Sequence, residues 1–159
     1  MTGAEGIFEW PDKTALLRTV VRLASATVLG AAIGFEREVT GKAAGLRTHM
    51  LVALASAVFI LAALEAGMGP GDVGFIIHGV ASGIGFIGAG AILKLDTDKQ
   101  IHGLTTAGTI WLTAATGVAA GLGRIWLAGI AVIVALVVLR VAQRLSEEGK
   151  LPGASGSKH

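Results

Sequence analysis

The chain contains five long apolar segments, separated by short polar stretches. They cover residues 15–35, 48–64, 73–93, 104–122 and 125–141. About 20 apolar residues in a helix cross the ~30 Å hydrocarbon core of a bilayer, and only helices and closed barrels satisfy their backbone polar groups there. With 53% hydrophobic residues and a mean hydropathy of +0.72, the chain is too apolar for a soluble domain of its size. We therefore expect an all-α membrane protein with five transmembrane helices.

The composition excludes several classes of function. The chain has no cysteine, which rules out thiol catalysis, disulfide bonds and thiolate metal sites. Its net charge is only +2 and no basic run carries interleaved aromatic residues, so a nucleic-acid partner has no support. No phosphate-binding loop and no serine–histidine–acid arrangement is readable. We expect no enzymatic activity and no bound cofactor other than a magnesium ion.

The connection between the first two apolar segments, within residues 30–51, concentrates charge. Its titratable side chains are Glu36, Arg37, Glu38, Lys42, Arg47 and His49. A charge in hydrocarbon costs roughly 2.5–3.5 kcal/mol, so the carboxylates and cations are expected to neutralise one another at or just below the bilayer surface. Small residues between them let a backbone or a partner come close. The segment is either a clamp that fixes helix ends or a patch that docks a partner or an ion.

Three motifs resemble those of the MgtC/SapB family of bacterial inner-membrane proteins. They are Glu36-Arg-Glu with Gly41-Lys-Ala-Ala-Gly-Leu-Arg-Thr-His, Ser82-Gly-Ile-Gly-Phe-Ile-Gly-Ala-Gly, and Gly103-Leu-Thr-Thr-Ala-Gly-Thr-Ile-Trp-Leu-Thr-Ala-Ala. The resemblance covers residues 16–139. It implies a small multi-pass protein linked to magnesium limitation and stress survival, with the membrane sector of the proton-driven ATP synthase as one partner. Many members append a soluble C-terminal domain, and we expect this chain to represent the membrane domain alone.

The distribution of lysine and arginine predicts the orientation in the membrane. Placing the charged connection in the cytoplasm puts nine basic residues inside: Arg37, Lys42, Arg47, Lys94, Lys99, Arg140, Arg144, Lys150 and Lys158. Four then lie outside: Lys13, Arg18, Arg22 and Arg124. The N-terminus is accordingly predicted outside and the C-terminus inside. We expect a transmembrane domain over residues 1–144 and a flexible cytoplasmic tail over residues 145–159.

A weak internal repeat relates the two halves of the chain. When the sequence is aligned with itself at one constant offset, which we call the repeat shift, Gly30-Ala31 aligns with Gly88-Ala89 and Gly45-Leu46 aligns with Gly103-Leu104. A duplication and chance matching in a chain rich in Ala, Gly and Leu explain this equally well. If the duplication is real, two helical hairpins share one orientation, related by an axis along the membrane normal. The fifth helix then stands outside the repeat.

Thr48 and Thr106 lie near the predicted cytoplasmic starts of the second and fourth helices, where each is a plausible N-cap. Two helix N-termini at one surface present a positive field, which Glu36 and Glu38 are placed to answer. Magnesium keeps several waters and needs only one or two carboxylates, so the same two glutamates are the predicted ligands of a magnesium site. The neighbouring cations count against high affinity.

The first, third and fourth segments carry further patterns. Arg22 in the first either snorkels to the interface or meets a partner within the bundle. Glycines of the third form a face for packing within the subunit or for a homodimer: Gly79, Gly83, Gly85, Gly88 and Gly90. Threonines share one face of the fourth, where they bond back to their own helix or line a polar path: Thr105, Thr109, Thr113 and Thr116. His78 either bonds a neighbour inside the bundle or takes part in such a path.

Two functions fit these patterns. A regulator docks another membrane protein complex through the charged connection. A transporter or channel for magnesium or another cation needs a polar site near the membrane midplane, commonly at a broken helix. Because the polar residues concentrate at one surface, the regulator is the leading prediction and the transporter is the alternative.

Overall fold

The computed structural model describes residues 12–92 and 103–148, which fold into five α-helices without a strand. They are α1 (Lys13–Val39), α2 (Leu46–Glu65), α3 (Pro70–Ile92), α4 (Leu104–Gly121) and α5 (Ile125–Glu148). The predicted all-α class is thereby confirmed. The connection at residues 94–102, between the third and fourth apolar segments, and most of the predicted tail lie outside the described residues. The described part of α5 continues through residues 145–148 of that tail.

Four of these helices, α1, α2, α3 and α5, are long and apolar enough to cross a membrane. α4 has the length of 18 residues but is not among them, because threonine and glycine interrupt its apolar sequence. Of the five predicted transmembrane helices, all five form in the described residues and four have the character of membrane spans. The fold consists of four strongly apolar helices and a fifth, less apolar one.

α4 forms the centre of the bundle. Among the described residues it packs against all four other helices, whereas α3 contacts only α2 and α4, and α5 contacts only α1 and α4. Ten of its 18 residues are buried. The neighbours of α4 are therefore largely protein rather than lipid, which explains how a helix of lower apolarity is accommodated here.

α1, α2 and α4 meet with their main chains in close approach. A Cβ added at Gly30 of α1 would lie 2.8 Å from the Ala53 side chain of α2, and one at Gly117 of α4 would overlap the Ala53 carbonyl. The remaining space is filled by methyl groups of Ala26, Ala57 and Ala120. No hydrophobic force draws helices together within lipid, so dispersion contacts at such short range supply much of the packing energy.

The repeat shift recurs in the helix boundaries. It carries Leu46, the first residue of α2, onto Leu104, the first residue of α4, and each helix follows a glycine. A contact recurs as well, because Gly30 faces His49 while Gly88, at the shifted position, faces Ala107. The two predicted hairpins thus share helix starts and one interhelical contact.

We predict that the glycine at the α2–α4 contact is indispensable for stability. Gly117→Ala places a Cβ against the Ala53 carbonyl, and overpacking of this kind costs about 1–3 kcal/mol. Gly108→Ala on the same helix is the matched control, since a Cβ there meets nothing within 4 Å and alanine favours a helix by up to ~1 kcal/mol. Thermal unfolding in detergent should show a loss for Gly117→Ala alone, and equal effects of the two changes would contradict the packing described.

Candidate functional site

The C-terminal end of α1 and the N-terminal ends of α2 and α4 enclose buried polar side chains. We call this group the polar cluster: Glu36, Arg37, His49, Thr106 and Thr109. Each member is at most 9% exposed. Gly34 allows α1 and the start of α2 to approach closely at this site, because a Cβ there would lie 2.7 Å from the Leu46 Cα. The polar cluster is consequently surrounded by main chain as well as by side chains.

Glu36 and Arg37 form a bidentate ion pair inside the bundle. Arg37 Nε donates to Glu36 Oε2 at 2.5 Å, and Arg37 Nη2 donates to Glu36 Oε1 at 2.7 Å. Arg37 is 1% exposed. Taking two charges out of water costs several kcal/mol per ion, and the planar guanidinium offsets this by binding both carboxylate oxygens. The pair therefore brings two charged groups, but no net charge, into the apolar interior.

The remaining charges of the connection are exposed. Glu38, Lys42 and Arg47 all face outward at this end of the bundle. Glu38 Oε2 accepts a hydrogen bond from the Leu46 N–H at 2.8 Å. A carboxylate at that position satisfies one of the free donors of the first turn and suits the positive end of the helix. Glu38 thus caps α2 from the preceding helix, a role that no local spacing rule indicates.

The predicted N-caps Thr48 and Thr106 are wrong. The N-cap residues are Gly45 and Gly103, and neither makes a side-chain cap bond. Close approach explains the difference: a Cβ at Gly45 would lie 2.6 Å from Glu38 Oε2, and Gly103 has φ +97°, in the region that favours glycine. Thr48 and Thr106 are instead the third residues of their helices, the first half-buried and the second buried.

His49 links α2 to α4 in the interior. Its ring is fully buried, and Nδ1 lies 2.8 Å from the Gly45 carbonyl oxygen. Because a carbonyl only accepts, Nδ1 carries a proton. Nε2 lies 3.3 Å from Thr109 Oγ1, which is itself 2.9 Å from the Thr106 carbonyl oxygen. While His49 is neutral, the single hydroxyl proton of Thr109 therefore has two acceptors.

The buried threonine face of α4 differs by one residue from the predicted one. Thr105 is exposed, and Thr106 takes its place beside Thr109, Thr113 and Thr116. The Thr113 hydroxyl donates to the Thr109 carbonyl at 2.8 Å, and that of Thr116 donates to the Leu112 carbonyl at 2.9 Å. Bonds of this type are common for threonine in helices. They use the hydroxyl protons, whereas a cation would bind the lone pairs of the hydroxyl oxygens, so these bonds alone do not remove the threonines as cation ligands.

His78 and the glycines of α3 are not gathered into one site. His78 is exposed on α3, so the prediction of a partner inside the bundle is wrong. Gly88 alone of the five predicted glycines meets another helix, with the Ala107 methyl 3.6 Å from its Cβ position. The other four have open space at that position: Gly79, Gly83, Gly85 and Gly90.

The predicted magnesium ligands have other partners. Both oxygens of Glu36 bind Arg37, and Glu38 binds the start of α2. Within the described ranges there is no group of three or more His, Asp or Glu side chains that could hold a metal ion. This arrangement does not fit a magnesium ion at Glu36 and Glu38, because the carboxylate pairs with a cation where the metal would need it free.

At the opposite end of the bundle, Arg22 joins α1 to α4. Its Nη1 donates to the Gly121 carbonyl oxygen at 3.2 Å, one of the carbonyls left free at a helix C-terminus. A positive charge also suits the negative end of the helix. The half-buried guanidinium lies against Gly123, which has φ +80° and terminates α4. Of the two sequence-based alternatives for Arg22, the partner within the bundle is the one observed.

Comparison with known proteins gives consistent matches. The model of the MgtC family matches residues 23–148. Protein MgtC of Salmonella typhimurium is 42% identical over 140 residues, covering 86% of this chain and 59% of the relative. Protein SrpB of Synechococcus elongatus is 42% identical over 123 residues, covering 69% of this chain and 65% of the relative.

A further relative is YhiD of Escherichia coli, which is named as a candidate magnesium transporter. It is 39% identical over 137 residues, covering 80% of this chain and 61% of the relative. The chain thus spans about 60% of the length of the curated relatives it matches. No solved structure shows a significant match.

We predict strong coupling between Glu36 and Arg37. Arg37→Met leaves a buried carboxylate without its cation and should cost about 3–5 kcal/mol. Glu36→Gln combined with Arg37→Met removes both charges and should recover much of that loss. Arg47→Met is the control for an exposed arginine and should change little. Thermal unfolding in detergent supplies the four corners of the double-mutant cycle; additive effects of the two single changes would show that the pair does not interact.

Proposed function

The chain belongs to the MgtC family, and on that premise we propose that this multi-pass membrane protein serves magnesium homeostasis by regulating a membrane protein partner. The name of one relative, YhiD of Escherichia coli, includes magnesium and supports the link to magnesium. The chain covers only part of those relatives, so activity and partner are proposed for the membrane part alone. The family resemblance suggests the membrane sector of the ATP synthase as one partner.

The proposal rests on the hydrogen bonds and the ion pair that the buried polar groups form. The Thr113 and Thr116 hydroxyls donate to carbonyls of their own helix, and Glu36 is occupied by Arg37. An ion that crosses a membrane needs polar ligands through the full thickness to replace its water. Among the described residues, the buried threonines bond back to main chain of their own helix and the buried carboxylate, Glu36, is bound by an arginine instead of being free for a cation, which favours a structural role for these groups.

The proposed docking patch is the exposed part of the α1–α2 connection. Glu38, Lys42 and Arg47 are exposed there, next to a buried ion pair that fixes the end of α1. Exposed charges at an interface mainly steer association and select partners. A rigid connection presents them at fixed positions. Lys42 and Arg47 are therefore the residues proposed to contact the partner directly.

A magnesium transporter is the second candidate. The specific observations in its favour are the name of the relative YhiD and the line of buried polar groups formed by His49 and the threonines of α4. In this alternative the oxygen lone pairs of the threonine hydroxyls bind the ion, while their protons stay bonded to helix carbonyls. The two functions consequently depend on different residues, and that difference makes them separable by mutation.

We further propose that the protein resides in the bacterial inner membrane, with all five helices spanning it, the N-terminus outside and the C-terminus inside. The basic residues support this orientation. α1 and α2 form one hairpin and α3 and α4 form the other, in the same orientation. The repeat shift, which also relates the starts of α2 and α4, supports an origin by duplication. α5 is the unrepeated helix.

The orientation predicts the result of reporter fusions. Alkaline phosphatase fused after Pro70 should be active, since that residue begins α3 at the outer face, while fusions after Lys99 and Pro152 should be inactive. Fluorescent-protein fusions at the same positions provide the reciprocal control. Active phosphatase after Lys99 would reverse the proposed orientation or change the number of spans.

The proposed function predicts a separation of growth from ion flux. Purified protein in sealed vesicles should carry no magnesium flux, while cells that depend on this protein for growth at low magnesium should lose that growth with Lys42→Glu or Arg47→Glu. Both side chains are exposed, so protein levels should stay normal. Thr113→Val, which keeps the shape but removes a buried hydroxyl, is the matched control and should retain growth.

The transporter predicts the opposite pattern. A saturable magnesium flux through the pure protein that disappears with Thr113→Val would overturn the regulator proposal. Normal growth of both Lys42→Glu and Arg47→Glu would remove the proposed docking patch.

A further inference from the structure

On the surface of the bundle, a wide apolar groove separates α2 from α3. Its volume is about 620 Å³, and its walls include Phe59 of α2 and Phe75, Gly79 and Gly83 of α3. The polar side chain in its wall, Ser56, donates to the Val52 carbonyl at 2.8 Å. The groove therefore offers space and apolar contact without a free donor.

The internal repeat indicates what shape this groove accepts. α5 covers the junction between α1 and α4, inserting a stripe of Ala128, Val132, Ala135 and Leu139. In the internal repeat, α1 corresponds to α3 and α2 corresponds to α4. The junction between α1 and α4 therefore corresponds to the junction between α3 and α2. That junction is the groove. Within the described ranges no helix covers it, although its counterpart holds a full transmembrane helix.

The α3 wall of the groove is built for a helix at short distance. Gly79 and Gly83 line the groove, and Gly90 lies beyond it on the same face of α3, since the three stand at positions i, i+4 and i+11. Among the described residues, a Cβ added at any of them meets nothing within 4 Å. By contrast, close neighbours require four glycines of α1 and α4, whereas Gly108 and Gly129 have open space as on α3: the four are Gly30, Gly34, Gly117 and Gly121. Each unpaired glycine also costs about 1 kcal/mol of helix stability relative to alanine.

We propose that α3 of a second copy occupies this groove, so that two copies form a dimer about a twofold axis along the membrane normal. A twofold contact requires one surface to carry both a recess and a projection. This surface does: α3 borders the groove, and its Phe75 and Phe86 are 77% and 85% exposed. The lining residues carry no charge, so like surfaces can meet without repulsion.

The size of the contact suits a stable dimer. α3 has 23 residues and is about 34 Å long at 1.5 Å per residue. Two neighbouring helices, each about 10 Å wide, make the covered strip roughly 700 Å² per copy, which is close to the ~800 Å² per partner of a standard interface. The proposed dimer is independent of whether the protein regulates a partner or transports an ion.

Single cysteines test the interface directly, because the chain has none of its own. Gly83→Cys and Gly90→Cys add a side chain where there is open space and should give covalent dimers upon oxidation in native membranes, since a disulfide needs Cα atoms within about 7 Å. Gly85→Cys is the matched control: it also has open space but points to a different face of α3, and it should stay monomeric.

Native mass spectrometry of the unmodified protein gives the second readout. It should show two copies, and Gly83→Ile should shift most of the protein to one copy without loss of thermal stability. Equal cross-linking at positions 83, 90 and 85 would overturn the interface. The interface would also be overturned if native mass spectrometry showed a single copy bound only to lipid, or a single copy bound to a different small membrane protein.

Discussion

The close approach of main chains around Ala53 is the contact on which the rest of the bundle depends. The Ala53 side chain meets Gly30 of α1 and the Ala53 main chain meets Gly117 of α4, so three helices converge at a single residue. Lipid tails are as apolar as the side chains they replace, and hydrophobicity alone does not hold such helices together. Small residues permit the short distances at which dispersion and dipole contacts become sufficient. α3 then packs against α2 and α4, and α5 packs against α1 and α4.

The same closeness determines the chemistry at the end of the bundle. Gly34 brings α1 against the start of α2, and water is thereby excluded from Glu36 and Arg37. Each charge then needs a partner within reach, and the adjacent residue supplies it. His49 lies in the same enclosed volume, and its two nitrogens reach a carbonyl of α2 and a hydroxyl of α4. Tight packing thus produces a small set of polar groups whose bonds cannot be exchanged for water.

The sequence predicted helices well and helical faces poorly, for a physical reason. Apolar length indicates where a membrane helix lies, and the segment predicted at residues 104–122 is close to the observed Leu104–Gly121. Charged residues extend two helices beyond their apolar segments, α1 to Val39 and α5 to Glu148. A face depends on which neighbours come near. Thr105 and Thr106 are adjacent in sequence but point about 100° apart on a helix, and only the packing of α4 decides that the second is buried.

The partners of the charged residues could not be read from the sequence either. Glu36 and Glu38 have the same chemistry and lie two positions apart, yet one is buried against Arg37 and the other caps α2 from outside. Both lie in α1, where residues two positions apart point about 200° apart, so that one faces the bundle interior and the other does not. The turn after α1, where Gly41 has φ +67°, then brings the start of α2 to Glu38. That turn fixes how far the chain travels before α2 starts. Pairing within a cluster of mixed charges is therefore a property of the fold and not of the spacing.

The modest apolarity of α4 has a consequence for how the protein is made. A helix that enters the bilayer alone must be apolar enough to prefer lipid to water, and α4 is not among the four helices here with that character. Its surface becomes favourable only when protein covers it. We expect α1, α2 and α3 to remain together near the site of insertion until α4 leaves the ribosome and enters the space between them. The central helix, α4, is thus synthesised after three of the four helices that surround it. The order of the helices along the chain is therefore part of the folding mechanism.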